Sequence, residues 1–419
     1  MPSLLLLSCI VGGALAQAGL CTWCPRVLPR WAPTWSLPNS TIAMPCNSTG
    51  PIRPSVLSNF SLVSIDWSNQ KNVWVAMRPM DSEGLLLEQA LSLHAAQPSQ
   101  RIFVYRNLVI AYPWFPSVRE KLVDPAYAGW FLKFGAPPFP NGSFHVPRCD
   151  GAFSPPLCSA FYHSQDQTPG YPSGDGDCPG PCDCGGVPCG FYLFNHANAT
   201  LRRWLIDDFV FGPTGLGHPS GAITGLYMDD HWSDAYDATD APDCAASAIG
   251  GPTEVNRFCG VDIGLTQADT TANTAGWRAM MLELQQRVVD AGAFSWAYFN
   301  EIRGAPTPKA CASFFTNNGT AFFADKPLVL VAQEKNRTRV SEQNDVATFL
   351  LIRGQFAWFG NGWEGCPVGG PSPLPADAAL DFGVPLGNLT EAGGVFRREW
   401  SRATVEFDCN RYSSSFTWK

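Results

Sequence analysis

The feature that most constrains the fold of this chain is a regular succession of short apolar runs and amphipathic segments. Runs such as Arg101–Asn107 (RIFVYRN) are largely apolar and lack strict alternation with polar residues. Strands of this kind are buried on both faces, as in a parallel sheet that helices cover. The segments between them carry apolar residues at helical spacing, and in LLLEQALSLHAAQ the residues Leu86, Ala90 and Leu93 share one face. The sequence therefore predicts an α/β protein with a parallel sheet.

Eight predicted strands follow one another in the chain, with helices between them. The strands are 61–67, 101–107, 190–195, 222–230, 294–301, 327–334, 356–363 and, less clearly, 380–387. The helices are 85–97, 199–212, 277–292, 310–324 and 344–354, and the third ends at Gly292. An open doubly wound sheet fits the same alternation, but no G-x-G-x-x-G or Walker sequence is present. We therefore predict a (β/α)8 TIM barrel.

Two long insertions favour the barrel. Residues 108–188 and 231–269 leave from the C-terminal ends of predicted strands, where barrel enzymes build their sites. Both insertions contain cysteines, and loops of this length stay ordered when disulfides staple them. We predict a signal peptide at 1–16, an irregular Cys- and Pro-rich lead-in at 17–56, the barrel at 57–394 and a C-terminal β extension at 395–419.

The N-terminus and the cysteines indicate secretion. An apolar stretch over residues 4–16 ends in small residues and resembles a signal peptide cleaved before Gln17; a buried N-terminal strand is the alternative. Of the 15 cysteines, Cys9 would leave with this segment, and the remaining even number suits full disulfide pairing. Eight Asn-x-Ser/Thr sequons are further expected in such a chain as glycan acceptors. We predict a secreted or lumenal protein.

Composition excludes several classes of function. The net charge is -8, and no run of Lys and Arg offers a phosphate-binding stripe, so we predict no nucleic-acid partner. No segment after the N-terminus is apolar enough to predict a membrane span. The spacing from Cys178 to Cys189 could hold zinc, but disulfides are favoured in a secreted chain. We predict no metal and no cofactor, and nothing in the sequence indicates an oligomeric state.

Carboxylates stand at the ends of several predicted strands. They are Asp66, Asp229, Asp230, Glu301 and Glu334. In a barrel the C-terminal ends of the strands meet at one mouth. Two carboxyl groups there can cleave a glycoside, since one protonates the leaving oxygen while the other attacks or stabilises the oxocarbenium-like transition state. A helix N-cap or a salt bridge is the alternative explanation for each single strand-end acid.

Asp229 and Glu301 end consecutive strands and are the predicted catalytic pair, with Glu334 as a reserve acid. Sugar rings stack on aromatic faces, and tryptophans lie beside most of the acids. Arg106 and Asn107 are expected to position the sugar, and Arg106 also to hold a carboxylate ionised. The predicted substrate-binding residues are Asp66, Trp67, Arg106, Asn107, Asp230, His231, Trp232, Glu334 and Trp363.

The stretch GLYMD, which ends at Asp229, resembles the fourth-strand motif of retaining α-glycosidase barrels of the α-amylase and α-galactosidase type. The resemblance implies that Asp229 is the nucleophile and that Glu301 is the acid/base. Tyr227 stands where the amylase pattern has a basic residue, and the histidine-bearing motifs of that superfamily are absent. Residues 61–418 also resemble uncharacterised secreted proteins grouped with hypothetical glycosyl-hydrolase-like barrels. SIDWSN, VYRNLV, PAYAGWFLKF, DFGVPLG and FRREWSRATVEFDCN carry that likeness.

These observations predict a secreted, retaining glycoside hydrolase that acts on a glycan or polysaccharide. The alternative is a non-catalytic secreted protein on the same barrel, either carbohydrate-binding or part of the extracellular matrix. Such a protein would keep the aromatic residues and would not need both acids.

Overall fold

The computed structural model of the 419-residue chain describes residues 28–132, 184–187, 189, 192–229, 265–296, 299–302, 307–317, 328–332, 338–363, 366 and 371–419. The predicted signal peptide and most of both predicted insertions lie outside these residues.

The described residues form strands and helices in the following order. The strands are β1 Thr41–Met44, β2 Leu62–Ile65, β3 Arg101–Asn107, β4 Ile110–Ala111, β5 Tyr192–Leu193, β6 Gly225–Asp229, β7 Phe294–Trp296, β8 Phe299–Ile302, β9 Leu328–Ala332, β10 Ala357–Trp363, β11 Thr390–Ala392, β12 Val395–Glu399, β13 Ala403–Asp408 and β14 Ser413–Trp418. The α-helices are α1 Lys71–Trp74, α2 Ser82–Ala96, α3 Pro116–Val123, α4 Ala199–Trp204, α5 Gln267–Asp290, α6 Pro308–Asn317 and α7 Arg339–Ile352. A π-helix, Leu205–Val210, continues α4, and 3-10 helices span Leu37–Asn39, Pro54–Leu57, Pro125–Trp130 and Ala376–Ala379.

Eight strands form one parallel sheet in the order β7-β6-β3-β2-β1-β10-β9-β8. Every residue of β1 and β2 is buried, and so are all residues of β3 except its first. Apolar runs without alternation thus correspond to strands covered on both faces. The predicted α/β architecture with a parallel sheet is confirmed.

The sheet is strongly curved. Strands β7 and β8 lie at its opposite edges, although only two residues separate them in the chain. A flat sheet of eight strands would hold its edges about 34 Å apart, at roughly 4.8 Å per strand. The three Cα–Cα steps from Trp296 to Phe299 span at most ~11 Å. The edges therefore approach each other as in a barrel, and closure into a complete (β/α)8 barrel stays a prediction.

Local sequence explains where the main helices begin and end. Helix α5 starts at a capping box, in which the Thr266 hydroxyl accepts a bond from the Asp269 amide at 3.1 Å and the Asp269 carboxylate accepts one from the Thr266 amide at 3.2 Å. It ends before Gly292, whose φ of 75° is left-handed, as the sequence predicts. No helix among the described residues is long and apolar enough to cross a membrane.

Four predicted elements differ from the structure. The lead-in at 17–56 was expected to be irregular, but Thr41–Met44 forms a central strand between β2 and β10, so the sheet begins before the predicted boundary at 57. The predicted strand at 190–195 is reduced to β5, which pairs antiparallel with β4 outside the main sheet. In both cases the pairing partner, and not the local sequence, decides the outcome.

The other two elements are predicted strands. Residues 294–301 form two strands, β7 and β8, which lie at opposite edges of the sheet and not in one strand. Residues 380–387 form no strand and make only an isolated antiparallel bridge, between Pro385 and Trp400. The eighth strand of the parallel sheet is therefore β1, and not the predicted strand at 380–387.

Aromatic rings fill the N-terminal end of the curved sheet. The Trp31 ring lies 6.3 Å from that of Phe103, 5.9 Å from Phe294 and 6.0 Å from Trp358, between ring centroids. A Cβ atom at Gly225 would come within 2.2 Å of the Phe103 ring, so the glycine makes room for it. Large aromatic side chains therefore occupy this end of the sheet.

The C-terminal part of the chain forms a separate four-stranded antiparallel sheet, β11-β12-β13-β14. A second apolar cluster joins this sheet to α7 and to β10, and Phe315 of α6 stacks on Phe396 at 4.7 Å. A disulfide between Cys311 and Cys409 ties α6 to the end of β13. The extension predicted at 395–419 lies within this sheet, which begins earlier, at Thr390.

Candidate active site

Strand alternation decides which side chains face the interior of the curved sheet. On β3, Tyr105 packs edge-on against Tyr227 of β6 at 5.1 Å, and Asn107 is in register with Asp229. Arg106, between them, points to the opposite face, where its guanidinium lies 5.1 Å from the Phe209 ring. The interior therefore receives Tyr105, Asn107 and Asp229, and the helical layer receives Arg106.

Asp66 follows the last residue of β2 and is 4% exposed. Its Oδ1 accepts the Ser68 hydroxyl at 2.5 Å and the Ser68 amide at 2.9 Å. The backbone of Trp67 also lies within hydrogen-bonding reach of the carboxylate. Burial raises the pKa of Asp66 to about 6, the bonds from Ser68 oppose this, and the charge of Asp229 adds to it.

Asp229 ends β6 and is half-buried. The Tyr105 hydroxyl donates to Asp229 Oδ2 at 2.9 Å. The Tyr112 hydroxyl lies 3.0 Å from that of Tyr105, and Asn107 Nδ2 donates to both hydroxyls, at 3.1 and 3.2 Å. A donor to an ionised carboxylate stabilises the charged form, so Asp66 and Asp229 occupy unlike environments at one edge of the sheet.

Trp67 continues the chain from Asp66 into a group of stacked aromatic rings. Its ring centroid lies 5.1 Å from that of Trp114 and 5.5 Å from that of Tyr112. Trp114 is fully buried, whereas Trp67 is only partly buried. The neighbouring rings therefore hold the Trp67 side chain, one residue after Asp66 in the chain, and such a ring can carry a sugar or pack in the core.

Arg106 does not have the surroundings predicted from the sequence. Its guanidinium is fully buried and donates to the carbonyl oxygens of Phe209 at 3.2 Å and Thr214 at 2.7 Å. Its nearest carboxylate is Glu83, at 3.6 Å, and not Asp229. Burial lowers the pKa of Arg106 and the charge of Glu83 raises it. These contacts hold α2 and the π-helix against β3, and none supports a contact with a sugar.

The other predicted site residues are placed only in part. The backbone of Glu301 lies in β8, in register with Val331 of β9, and therefore on a strand whose C-terminal end is at the same edge as Asp66 and Asp229. The backbone of Trp363 ends β10. The side chains of both residues lie outside the described part. Asp230, His231, Trp232 and Glu334 lie outside the described residues altogether.

A disulfide between Cys46 and Cys366 lies next to Ser68, the residue that donates two hydrogen bonds to Asp66. It joins the chain just after β1 to the chain just after β10, and Cys46 Sγ lies 3.3 Å from the hydroxyl of Ser68.

Cys184 and Cys189 also form a disulfide, which removes two of the thiolates that a zinc site there would need. Within the described residues, no group of three or more potential metal ligands comes together.

Sequence reasoning missed Ser68, Tyr105 and Tyr112. Tyr105 could have been found from the period of two along β3, because it shares a face with Asn107. Ser68 sits two residues after Asp66, the spacing at which an aspartate accepts bonds from the following turn. No local sequence pattern indicates that Tyr112 belongs to the site. Its hydroxyl reaches Tyr105 because the chain turns back after β3.

Comparisons with known proteins give distant structural likenesses. No protein-family model and no curated protein matches this chain. Sucrose 6F-phosphate phosphorylase from Thermoanaerobacter thermosaccharolyticum is similar at 8% identity and a TM-score of 0.43, covering 91% of this chain and 96% of that one. The debranching enzyme of Nostoc punctiforme is similar at 10% identity and a TM-score of 0.39, covering 90% of each chain. Cyclic α-maltosyl-(1→6)-maltose hydrolase from Arthrobacter globiformis is similar at 12% identity and a TM-score of 0.39, covering 92% and 87%.

Proposed function

We propose that this protein is a secreted glycoside hydrolase that cleaves a glycosidic bond with carboxyl groups at the C-terminal edge of the parallel sheet. The observation that carries the proposal is that Asp66 and Asp229 lie at the same edge of the sheet but in unlike environments. One carboxyl group is buried and favours its proton, whereas the other receives a hydroxyl donor. Glycoside cleavage needs one carboxyl group that holds a proton and one that is ionised, and unlike environments favour such a difference.

Asp229 is the proposed nucleophile. It is half-buried, and the donor from Tyr105 favours the carboxylate form. In a retaining reaction, a carboxylate oxygen forms a bond to the anomeric carbon while the bond from that carbon to the leaving oxygen breaks. The leaving oxygen takes a proton from the acid/base residue, which then accepts a proton from the water that releases the sugar.

Glu301 is the proposed acid/base. It lies one residue before the end of β8, at the same C-terminal edge as Asp229, and only two residues of chain separate β8 from β7, the strand that pairs with β6. Asp66 is the alternative donor. The acid/base residue must also take a proton from a water molecule in the second step, and the 4% exposure of Asp66 makes that exchange difficult. Below its pKa of about 6, the Asp66 carboxyl holds a proton, and we assign to it a hydrogen bond to a group bound in the site.

The proposal includes closure of the eight-stranded parallel sheet, of which β1 is one strand, into a (β/α)8 barrel. It also includes removal of residues 1–16. Disulfides support an oxidising compartment, since each of the six cysteines that the structure describes is paired. That the other cysteines of the mature chain also pair is part of the proposal.

The test is hydrolysis by the full chain, expressed through a secretory pathway. 2,4-Dinitrophenyl and 4-nitrophenyl α- and β-glycosides are assayed together with release of reducing ends from polysaccharides. Asp229→Asn should lower kcat for every active substrate by roughly 10³-fold or more. Glu301→Gln should lower it far less for 2,4-dinitrophenyl glycosides than for 4-nitrophenyl glycosides, because a good leaving group needs no proton.

Asp66→Asn and Asp381→Asn complete the test. If Asp66 is the acid, its variant and not Glu301→Gln shows the dependence on the leaving group. Asp381 is exposed and pairs with Arg402 in the C-terminal part of the chain, so its variant should keep full activity. Near-normal turnover in both Asp229→Asn and Glu301→Gln contradicts the mechanism. Binding of polysaccharide without any hydrolysis by the unaltered chain would favour the carbohydrate-binding alternative.

A further inference from the structure

The side-chain amide of Asn107 has a fixed orientation. Its Oδ1 accepts the backbone amides of Val109 at 2.9 Å and Ile110 at 2.6 Å. A carbonyl oxygen accepts and an amide nitrogen donates, so these two bonds determine which end of the amide is which. Nδ2 must then face the hydroxyls of Tyr105 and Tyr112, at 3.1 and 3.2 Å.

The orientation of Asn107 sets the direction of the next hydrogen bonds. Nδ2 has only protons to offer, so the Tyr105 oxygen accepts from it. Tyr105 has one hydroxyl proton, and an ionised carboxylate can only accept. The proton of Tyr105 is therefore donated to Asp229 Oδ2 at 2.9 Å, and the contact at 3.0 Å between the two hydroxyls is a donation from Tyr112.

Packing holds the donor in place. Tyr105 is fully buried, with its ring 5.1 Å from that of Tyr227 and 6.1 Å from that of Tyr112. Tyr112 in turn stacks on Trp114 at 4.6 Å. A hydroxyl held this way needs no reorganisation when charge changes on the carboxylate, which is the condition for electrostatic preorganisation.

We propose that Tyr105 is a positioning residue for Asp229, and that Asn107 and Tyr112 support it by donating to its hydroxyl oxygen. The inference rests on the proposed function, in which Asp229 is the nucleophile. The bond to Oδ2 favours the charged form of the carboxylate, which is the form that can bond to the anomeric carbon. Tyr105 keeps its proton throughout, since the leaving oxygen is protonated by the acid/base residue.

The test is Tyr105→Phe, which removes the hydroxyl and keeps the ring. Carboxyl ¹³C signals of labelled aspartates are followed by NMR over a pH titration of the full chain, and the Asp229 signal is identified by its absence in Asp229→Asn. We expect the midpoint of the Asp229 titration to move upward by about one pH unit or more, as loss of a hydrogen bond to a charged group implies. The acidic limb of kcat/KM on the active 2,4-dinitrophenyl glycoside should move with it.

Two further variants make the outcome decisive. Tyr112→Phe should move the midpoint in the same direction by less, because Tyr105 keeps its own proton. Tyr192→Phe removes the hydroxyl of a buried tyrosine on β5 and should leave the midpoint unchanged. An unmoved midpoint in Tyr105→Phe, or in Tyr112→Phe should Tyr105→Phe not fold, overturns the assignment. The NMR midpoint needs no substrate, so a chain without hydrolase activity would refute the proposed function and still decide this inference.

Discussion

Replacement of Asp66 by Asn should change the dependence of stability on pH in a defined way. Burial raises the pKa of Asp66 from 3.8 to about 6 in the folded protein. Both hydrogen bonds from Ser68 go to Oδ1, which an asparagine retains. The variant can therefore keep both bonds from Ser68 while it removes the group that titrates.

The size of the pH-dependent change in unfolding free energy follows from the pKa of Asp66 in the unfolded and in the folded chain. Between pH 3.8 and 6 the folded chain binds a proton at Asp66 that the unfolded chain has released, so stability falls as the pH rises. The contribution of Asp66 is fully present below about pH 3.8 and is lost as the pH rises through about 6. A shift of this size corresponds to about 3 kcal/mol of unfolding free energy.

The assay is urea denaturation of the unaltered chain and of Asp66→Asn at a series of pH values from about 3.5 to 7.5. The difference in unfolding free energy between the two proteins should grow by about 3 kcal/mol in favour of the variant across this range. Any effect of the substitution that does not depend on pH cancels from that growth. In an Asp229→Asn background the growth should be smaller, because the charge of Asp229 contributes to the raised pKa of Asp66, but most of it should remain, since burial is the larger cause.

A constant difference between the two proteins over the whole pH range would refute this reasoning. It would mean that Asp66 titrates in the folded protein as it does in the unfolded chain. A difference that grows toward low pH would mean that the bonds from Ser68 outweigh burial. Either result would also remove the protonated Asp66 from the proposed site.

Two further predictions concern the support of the site. Arg106→Met should lower the free energy of unfolding by roughly 3–5 kcal/mol in urea denaturation, because it leaves the buried Glu83 without its cation. Joint replacement of Cys46 and Cys366 by alanine should lower it by about 2–5 kcal/mol and should also move the titration midpoint of Asp66, followed by carboxyl NMR, because Cys46 contacts the Ser68 hydroxyl.

A matched variant tests the physical explanation of each of these two predictions. Replacing Cys311 and Cys409 removes a disulfide far from Asp66, so it should lower stability without moving the Asp66 titration. Replacing Arg106 and Glu83 together, by Met and Gln, should recover part of the loss seen in Arg106→Met. A titration that moves equally in both disulfide variants, or no recovery in the double variant, would contradict these explanations.

Local patterns were enough to predict the parallel sheet and several of its elements. The bounds of β3 and the end of α5 before Gly292 agree with the sequence, because continuous burial and helix capping are properties of neighbouring residues. Strand β1 was missed because its four residues carry no pattern of their own. Its identity as a strand comes from pairing with β2 and with β10, the latter more than 300 residues away along the chain.

The sequence by itself was enough to predict carboxylates at the ends of apolar strands. Because those strands are parallel, it also predicted that these carboxylates lie at one edge of a sheet. It could not decide which neighbour of an alternating pair faces the interior, so Arg106 and Asn107 were expected together although the structure separates them. Only the tertiary structure decided that Asp66 is buried and that Tyr105 donates to Asp229. The physical reason is that alternation along a strand is local, whereas desolvation and hydrogen-bond partners depend on residues that folding brings together from distant parts of the chain.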